Sequence, residues 1–464
     1  MRKYKNIILT VAFFAISLSL SAQALNSGYF TGDYKYRHDL NPSLGNEANY
    51  VAIPALGSVN VKTMGNFGYD DIVVDNPLYP SESNKKMTTF LNPYIENPLD
   101  GFSTGMNKIG VEADIALLSA GFKGFGGYNT IELNLRTQVH GKIPYEFFEF
   151  ATSTDNKDYN IGDINFDAQS FTELAFGHSR QINDKWKLGA KIKLLFGIAN
   201  ANVEMNNVSA KFTGDTWTIN SDNKANVSMK GFKYKSEQKD YEAQDGTYDR
   251  INDIDVDGAG ISGFGMAMDL GATFKLDENW EFGAALMDLG FIRWSNDMYA
   301  TNEDKSFTFD GFHDTSIKQD HGNTIDNETD NYSDQISQFY NLKDEGDNGS
   351  KTTGIGCRMN LSALYTLSNY KKLKIGFLSA TRFLGKHSWT EGRLSGNWEP
   401  LPWLNGNINM AVNSYATSLG WFLNIHPNAF NFFIGMDHTL GKLSKEYIPL
   451  SSNGSLSVGF NFTW

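Results

Sequence analysis

The residues best placed to do chemistry fall into two patterns. The first is a run, Asp253-Ile254-Asp255-Val256-Asp257-Gly258, in which alternate carboxylates precede a glycine. This is the first half of a calcium loop, where alternate acidic oxygens converge on a hard cation. The bidentate glutamate that completes such a loop would stand where this chain has Phe264. Asp253, Asp255 and Asp257 are therefore either a partial calcium site or a solvated acidic loop. The second pattern is dispersed. Charged residues recur at alternate positions within apolar segments: Glu112, Asp114, Glu132, Arg136, His140, Lys191, Lys193, Asp269, Arg358, Lys374, Arg382 and Asp437. In a strand, that period puts them all on one face. Mixed charges on the inner face of a closed sheet either line a wet conduit or pair across it and fill it.

Little else orders itself as a catalytic centre. The eight histidines (38, 140, 178, 313, 321, 387, 426, 438) include no i, i+4 pair and no zinc signature. The single cysteine, Cys357, excludes an internal disulfide and a multi-cysteine metal site. No enzymatic activity and no cofactor are expected. A lipid hydrolase would need a nucleophile and a base brought together from adjacent strands.

The elements that must position the charged face are strands. In Thr130–His140, Ile131, Leu133, Leu135 and Val139 alternate with Glu132, Asn134, Arg136, Gln138 and His140. In Trp186–Phe196, Leu188, Ile192 and Leu194 alternate with Lys187, Lys191 and Lys193. Phe264–Phe274 and Ile355–Tyr365 repeat the pattern. The last ten residues, Ser455–Trp464, carry it furthest. Leu456, Val458, Phe460, Phe462 and Trp464 take one face, and Ser, Gly, Asn and Thr the other. An exposed soluble edge of this kind would aggregate. In a lipid-embedded barrel every backbone group is paired and the apolar face meets lipid. Short connections carry aromatics, as at Asn183-Asp184-Lys185-Trp186, Asp277-Glu278-Asn279-Trp280 and Leu401-Pro402-Trp403, and alternate with long polar ones. Trp186, Trp280 and Trp403 then form an interfacial girdle. Counting gives about 14 transmembrane strands over residues 49–464, with long extracellular loops and short periplasmic turns. The stretch 205–235 is an extra hairpin or an extension above the membrane. Ile143–Phe150 and Asn331–Leu342 read as short amphipathic helices.

Residues 1–22 read as a secretory signal: Arg2-Lys3-Tyr4-Lys5, an apolar run from Ile7 to Leu20, then Ser21-Ala22. Losing its three basic residues takes the formal net charge from −13 to −16, which argues against nucleic acid as a partner. Residues 23–48 lack any period and are either a linker or a segment tucked into the barrel mouth.

With Ser21-Ala22-Gln23, Leu40-Asn41-Pro42-Ser43, Tyr50-Val51-Ala52-Ile53-Pro54 and the terminal aromatic strand in place, the chain resembles a Bacteroidota outer-membrane barrel family of unknown function. That group is distantly similar to FadL-type transporters and PorV-type barrels of type IX secretion. FadL-like chains carry Asn-Pro-Ala near the start of an N-terminal hatch; here the third residue is Ser43. The resemblance implies passage or binding of a small hydrophobic molecule, or docking of protein partners through the long loops. It also implies that Phe460, Phe462 and Trp464 are read by barrel-assembly machinery, with outer-membrane lipid as the surroundings.

Overall fold

A computed structural model describes residues 25–81, 85–152, 157–214, 216–311, 325–438 and 453–464. The expected leader, 1–22, lies outside them. Fourteen antiparallel strands form a ring. They begin with β1 (Tyr50–Ala52, continued by Val59–Gly65), β2 (Met106–Gly124), β3 (Gly127–Pro144), β4 (Tyr159–Gln181) and β5 (Trp186–Thr213). Then come β6 (Gly263–Lys275), β7 (Trp280–Trp294), β8 (Lys351–Gly354, continued by Cys357–Thr366) and β9 (Leu373–Phe383). The last are β10 (Trp389–Leu401), β11 (Leu404–Asn413), β12 (Thr417–Ile425), β13 (Phe430–Met436) and β14 (Gly454–Thr463). Each strand pairs with its sequence neighbour, and β14 closes on β1 with Val458 opposite Val59 and Thr463 opposite Tyr50. The ring therefore has no free edge.

Side-chain placement is inverted relative to a soluble protein. Ile408 is 75% exposed, Phe264 63% and Ile192 63%, whereas Lys191 is 1% exposed and Arg382 0%. An apolar outer band around a charged interior is the solution for a sheet closed in hydrocarbon, so this is a transmembrane β-barrel. At the short-turn end Trp186, Trp280, Trp403 and Trp464 are all exposed. Two of these turns explain the sequence near-repeats. Asn183 Oδ1 accepts from the Lys185 and Trp186 N–H groups at 2.9 Å, and Asp277 Oδ1 accepts from Asn279 and Trp280 at 2.8 Å. A short side chain that mimics a backbone turn launches the next strand on a tryptophan.

The other end is elaborate. β5 runs on past β6, with β4 beside it as far as Ala210, and carries Thr216–Met229 as a partner. Asp297–Asn302 and Ser306–Phe309 join that strand, and Leu342–Asp347 is added outside. Of the stretch 205–235, residues 205–213 and 216–229 thus form an extension of the wall, and its last residues enter another hairpin. A separate hairpin pairs Phe232–Asp240 with Thr247–Val256. Helix Ile325–Tyr340 packs beside Phe307 through Tyr332 and Phe339. Helix Tyr145–Thr152 puts Phe148 into a cluster with Phe67, Phe90 and Phe102.

Residues 25–49 go further than the mouth: they fold inside the ring. Leu25, Tyr34 and Tyr36 pack on Phe422 and Phe433, and Tyr29, Phe30, Leu40 and Leu44 pack on Leu378. The wall is thinned to admit them. A Cβ on Gly189 would lie 2.2 Å from the Pro42 carbonyl, and one on Gly271 would lie 2.1 Å from Asn41 Oδ1. Tyr29, Tyr34, Tyr36 and Asn41 supply polar atoms that an interior position has to satisfy. Tyr36 donates to Asn461 Oδ1 at 2.9 Å, and Asn41 Nδ2 donates to Tyr29 Oη at 3.1 Å.

Candidate functional site

Four interlocked groups of side chains occupy the interior. In the first, the Lys191 ammonium touches Glu132 Oε2 at 2.7 Å, His38 Nδ1 at 3.1 Å and the Asp39 carboxylate. His38, Asp39 and Glu132 each offer one ligand atom, all within 4.8 Å of one another, which is a donor set of metal-binding type. Lys191 already stands among them as the cation, so the site is satisfied by an ammonium. In the second, the Arg136 guanidinium grips both Asp288 oxygens at 2.8 Å and Glu173 at 2.7 Å. Lys193 bridges Asp288 at 2.6 Å and Asp269 at 2.9 Å. In the third, Arg382 pairs with Glu112 at 2.8 Å and also meets Gln138 and the Ile355 carbonyl. In the fourth, Arg393 holds Glu391 at 2.9 Å, and the Asp437 carboxylate accepts from the Asn26 and Ser27 N–H groups at 3.0 and 2.7 Å. The first and fourth groups tie the N-terminal segment to the wall.

Of the charged residues singled out by alternation, Glu112, Glu132, Arg136, His140, Lys191, Lys193, Asp269, Arg358, Arg382 and Asp437 are buried on the inner face. Asp114 lies 3.7 Å from Arg136. Lys374 sits inward near the short-turn end, 3.0 Å from Glu399. Alternation missed Asp288 for a physical reason. A bulge opposite Asp269, with Asp288 at φ 59°, turns both Met287 and Asp288 inward and breaks the parity of the strand. A second register shift, where Ser170 and Phe171 face Ala199 and Gly197, turns Asn200 inward in the same way. Glu391 and Arg393 followed the period and were findable from it.

Asp253 and Asp255 do not form a loop. They lie in the strand Thr247–Val256, exposed, with Asp255 3.5 Å from Lys235. Alternate side chains of a strand stand about 7 Å apart in a row, so Asp253 and Asp255 do not converge, and Asp257 lies one residue past the strand. Of the two readings, the geometry favours the solvated acidic stretch.

Two serine arrangements also fall short of catalysis. Gly101-Phe102-Ser103-Thr104-Gly105 has nucleophile-elbow spacing, yet it lies in the turn before β2, where the Ser103 N–H donates to Asn107 Oδ1 at 2.8 Å. The strand–turn–helix setting that exposes such a serine is missing there. Ser418 Oγ lies 2.5 Å from His438 Nδ1, and His438 Nε2 is 3.4 Å from Glu391. His438 is fully buried, and Arg393 already engages that glutamate.

Between β7 and β8 the wall is interrupted. Trp280–Met287 pairs with Arg358–Tyr365, and Phe291–Trp294 pairs with Lys351–Gly354. Between these ladders Asp288–Gly290 faces Ile355–Cys357 without pairing, with Gly356 at φ 86°. A cavity of about 390 Å³ lies there, lined by Leu289, Gly290, Gly354, Gly356, Cys357 and Phe383 among others. Below it on the outer wall runs an apolar groove of about 860 Å³ across β4–β8, including Ala190, Leu270, Ala272, Ala284, Leu286 and Met359. Gly354, Leu384 and Gly385 also border a polar cavity of about 260 Å³ at the long-loop end.

A closed transmembrane barrel whose interior is filled by its own N-terminal segment and by ion pairs is therefore the class of protein defined here. The chain belongs to the family of unknown function DUF5723, whose model matches residues 42–437. No curated protein matches it. Among solved structures it is similar to the Pseudomonas putida toluene transporter TodX, at 8% identity over 96% of this chain and 95% of that one, TM-score 0.39. It is also similar to a Pseudomonas aeruginosa FadL homologue, at 10% identity over 96% and 97%, TM-score 0.38. A third is the translocator domain of the autotransporter NalP from Neisseria meningitidis, at 8% identity over 91% and 90%, TM-score 0.33.

Proposed function

We propose that the protein is an outer-membrane barrel of a Gram-negative bacterium that passes a small hydrophobic or amphiphilic molecule sideways through its wall. The observation that carries this reading is the unpaired stretch between β7 and β8. An axial route is occupied by residues 25–49 and by the four ion-pair groups. The gap, by contrast, shares Gly354, Leu384 and Gly385 with the polar cavity, and the apolar groove begins at Leu286 and Met359, a few positions along the same two strands from Leu289 and Cys357. Missing ladder bonds between two glycine-bearing strands are also the least costly place to separate a barrel wall.

Leu289→Cys tests it. Leu289 and the native Cys357 both face outward across the gap, so oxidation would staple it. In proteoliposomes, uptake of a fluorescent medium-chain alkanoate should fall to background when oxidised and return on reduction, with Leu289→Ser unaffected throughout. Unchanged uptake after quantitative cross-linking would overturn the lateral route.

A second reading, docking of a protein partner from the extracellular side, is favoured by one observation: the wall extension is a paired sheet, not a set of free loops. Removing the hairpin Phe232–Val256 should then abolish capture of that partner while leaving the ring folded.

A further inference from the structure

The polar cavity at the long-loop end opens onto the gap through Gly354, Leu384 and Gly385, and its remaining lining has a chemistry that passage through the gap does not require. Much of its lining is hydrogen-bonding, Gln138, Asn165, Asp167, Gln169, Asn200 and Asn202 among it, with the tilted rings of His140 and His387 5.2 Å apart beside them. Gln138, His140, Asn165, Gln169, Asn200 and His387 are each more than nine-tenths buried, yet they face a void. Asn200 Nδ2 donates to the Ala168 carbonyl at 3.3 Å, but its buried Oδ1 has no partner among the described residues. A buried acceptor left open in a polar cavity calls for a donor that enters from solvent. The volume equals about eight or nine waters.

The chemistry narrows the occupant. A divalent cation needs converging free carboxylates. Here Asp167 already accepts from Asn202 Nδ2 at 2.7 Å and meets His387 Nε2 at 3.0 Å, while Glu204 lies 3.9 Å from Lys386. An anion would meet those two carboxylates. An apolar ligand would leave Asn200 Oδ1 unpaired. Gln138, Gln169, Asn165 and Asn202 are held in place by protein partners, and Asn200 Oδ1 is left open; carboxamides fixed in this way, each both donor and acceptor, match a neutral molecule whose substituents are also both. We propose that this cavity binds a saccharide, one pyranose ring deep, with Asn200 Oδ1 accepting a sugar hydroxyl.

The sugar has two possible sources, a free saccharide or the head group of a glycolipid. The full-length protein, purified in a sugar-free detergent, would be titrated by calorimetry with methyl pyranosides of several hexoses and with their octyl counterparts below micelle formation. Saturable binding with Kd at about 1 mM or below is expected for at least one sugar. Asn200→Ala and Asn202→Ala should each weaken it by about tenfold, the scale of one lost hydrogen bond. Heat-modifiable gel migration would confirm that both variants remain folded. Binding of octyl but not methyl pyranosides assigns the glycolipid source. Absence of saturable binding by every sugar, or binding unmoved by both substitutions, overturns the proposal. Uptake through the gap is a separate readout, so either result can fail without the other.

Discussion

Replacing Lys191 by methionine should release the N-terminal segment from the barrel. The ammonium is 1% exposed and Glu132 0%, 2.7 Å apart. Methionine keeps the stem and removes the charge. Glu132 would then retain Ser119 Oγ at 3.3 Å and His38 Nε2 at 3.7 Å, neither of which replaces a full cation. Removing one partner of a buried pair costs about 3–5 kcal/mol. That is a shift of roughly two to three and a half decades in the equilibrium that holds residues 25–49 in place, at about 1.4 kcal/mol per decade. Two assays read it. Guanidinium unfolding in detergent, followed by gel mobility, should lose that stability. Limited trypsin treatment should cut after Lys35 or Arg37, which the intact lumen protects. Adding Glu132→Gln should restore at least half of the loss, because the orphaned carboxylate is what is costly, not the missing bond. A Lys191→Met protein within about 1 kcal/mol of the parent and equally trypsin-resistant would refute the reasoning. So would a double variant that loses the full sum of both changes.

Two further outcomes follow from the fold. Deleting Phe462–Trp464 removes β14 residues facing Val51 and Phe430, so membrane assembly should fail while secretion continues; normal membrane levels of the truncation, measured by fractionation, would contradict the assembly role. Ser43 Oγ and Thr273 Oγ1 lie 2.6 Å apart, so Ser43→Cys with Thr273→Cys, in a Cys357→Ser background, should oxidise to a single cross-link seen by mass spectrometry after proteolysis. Free thiols at both positions would show that the segment does not occupy the wall at Gly271.

Much of the ring could be read from alternation because lipid on one side and charge on the other impose a strict period on each strand. The segment 390–399 follows the same rule, with Leu394 and Trp398 facing out while Glu391 and Arg393 face in. What alternation could not reveal lies where the period slips. Asp288 and Asn200 change face at bulges, and a bulge leaves no mark in a single sequence. Residues 25–49 were opaque for another reason. Their aromatics have no period, and only the glycines opposite them, Gly189 and Gly271, record where they fit. The acidic run at 253–258 allowed two readings because a strand meets ligand spacing too, and in it Asp253 and Asp255 point along a row.

The length of β5 has a mechanical consequence. It is one strand of 28 residues, of which about 10 suffice to cross the hydrocarbon layer. At about 3.3 Å per residue and a tilt near 40°, the remainder rises roughly 45 Å beyond it. Because it is laddered to β4 and Thr216–Met229 over most of that height, it is a stiff mast, not a tether. Whatever meets its tip meets a surface already ordered, with little chain entropy left to lose on contact. Force applied there is transmitted along hydrogen-bonded backbone directly to β6, the neighbour of the interrupted wall.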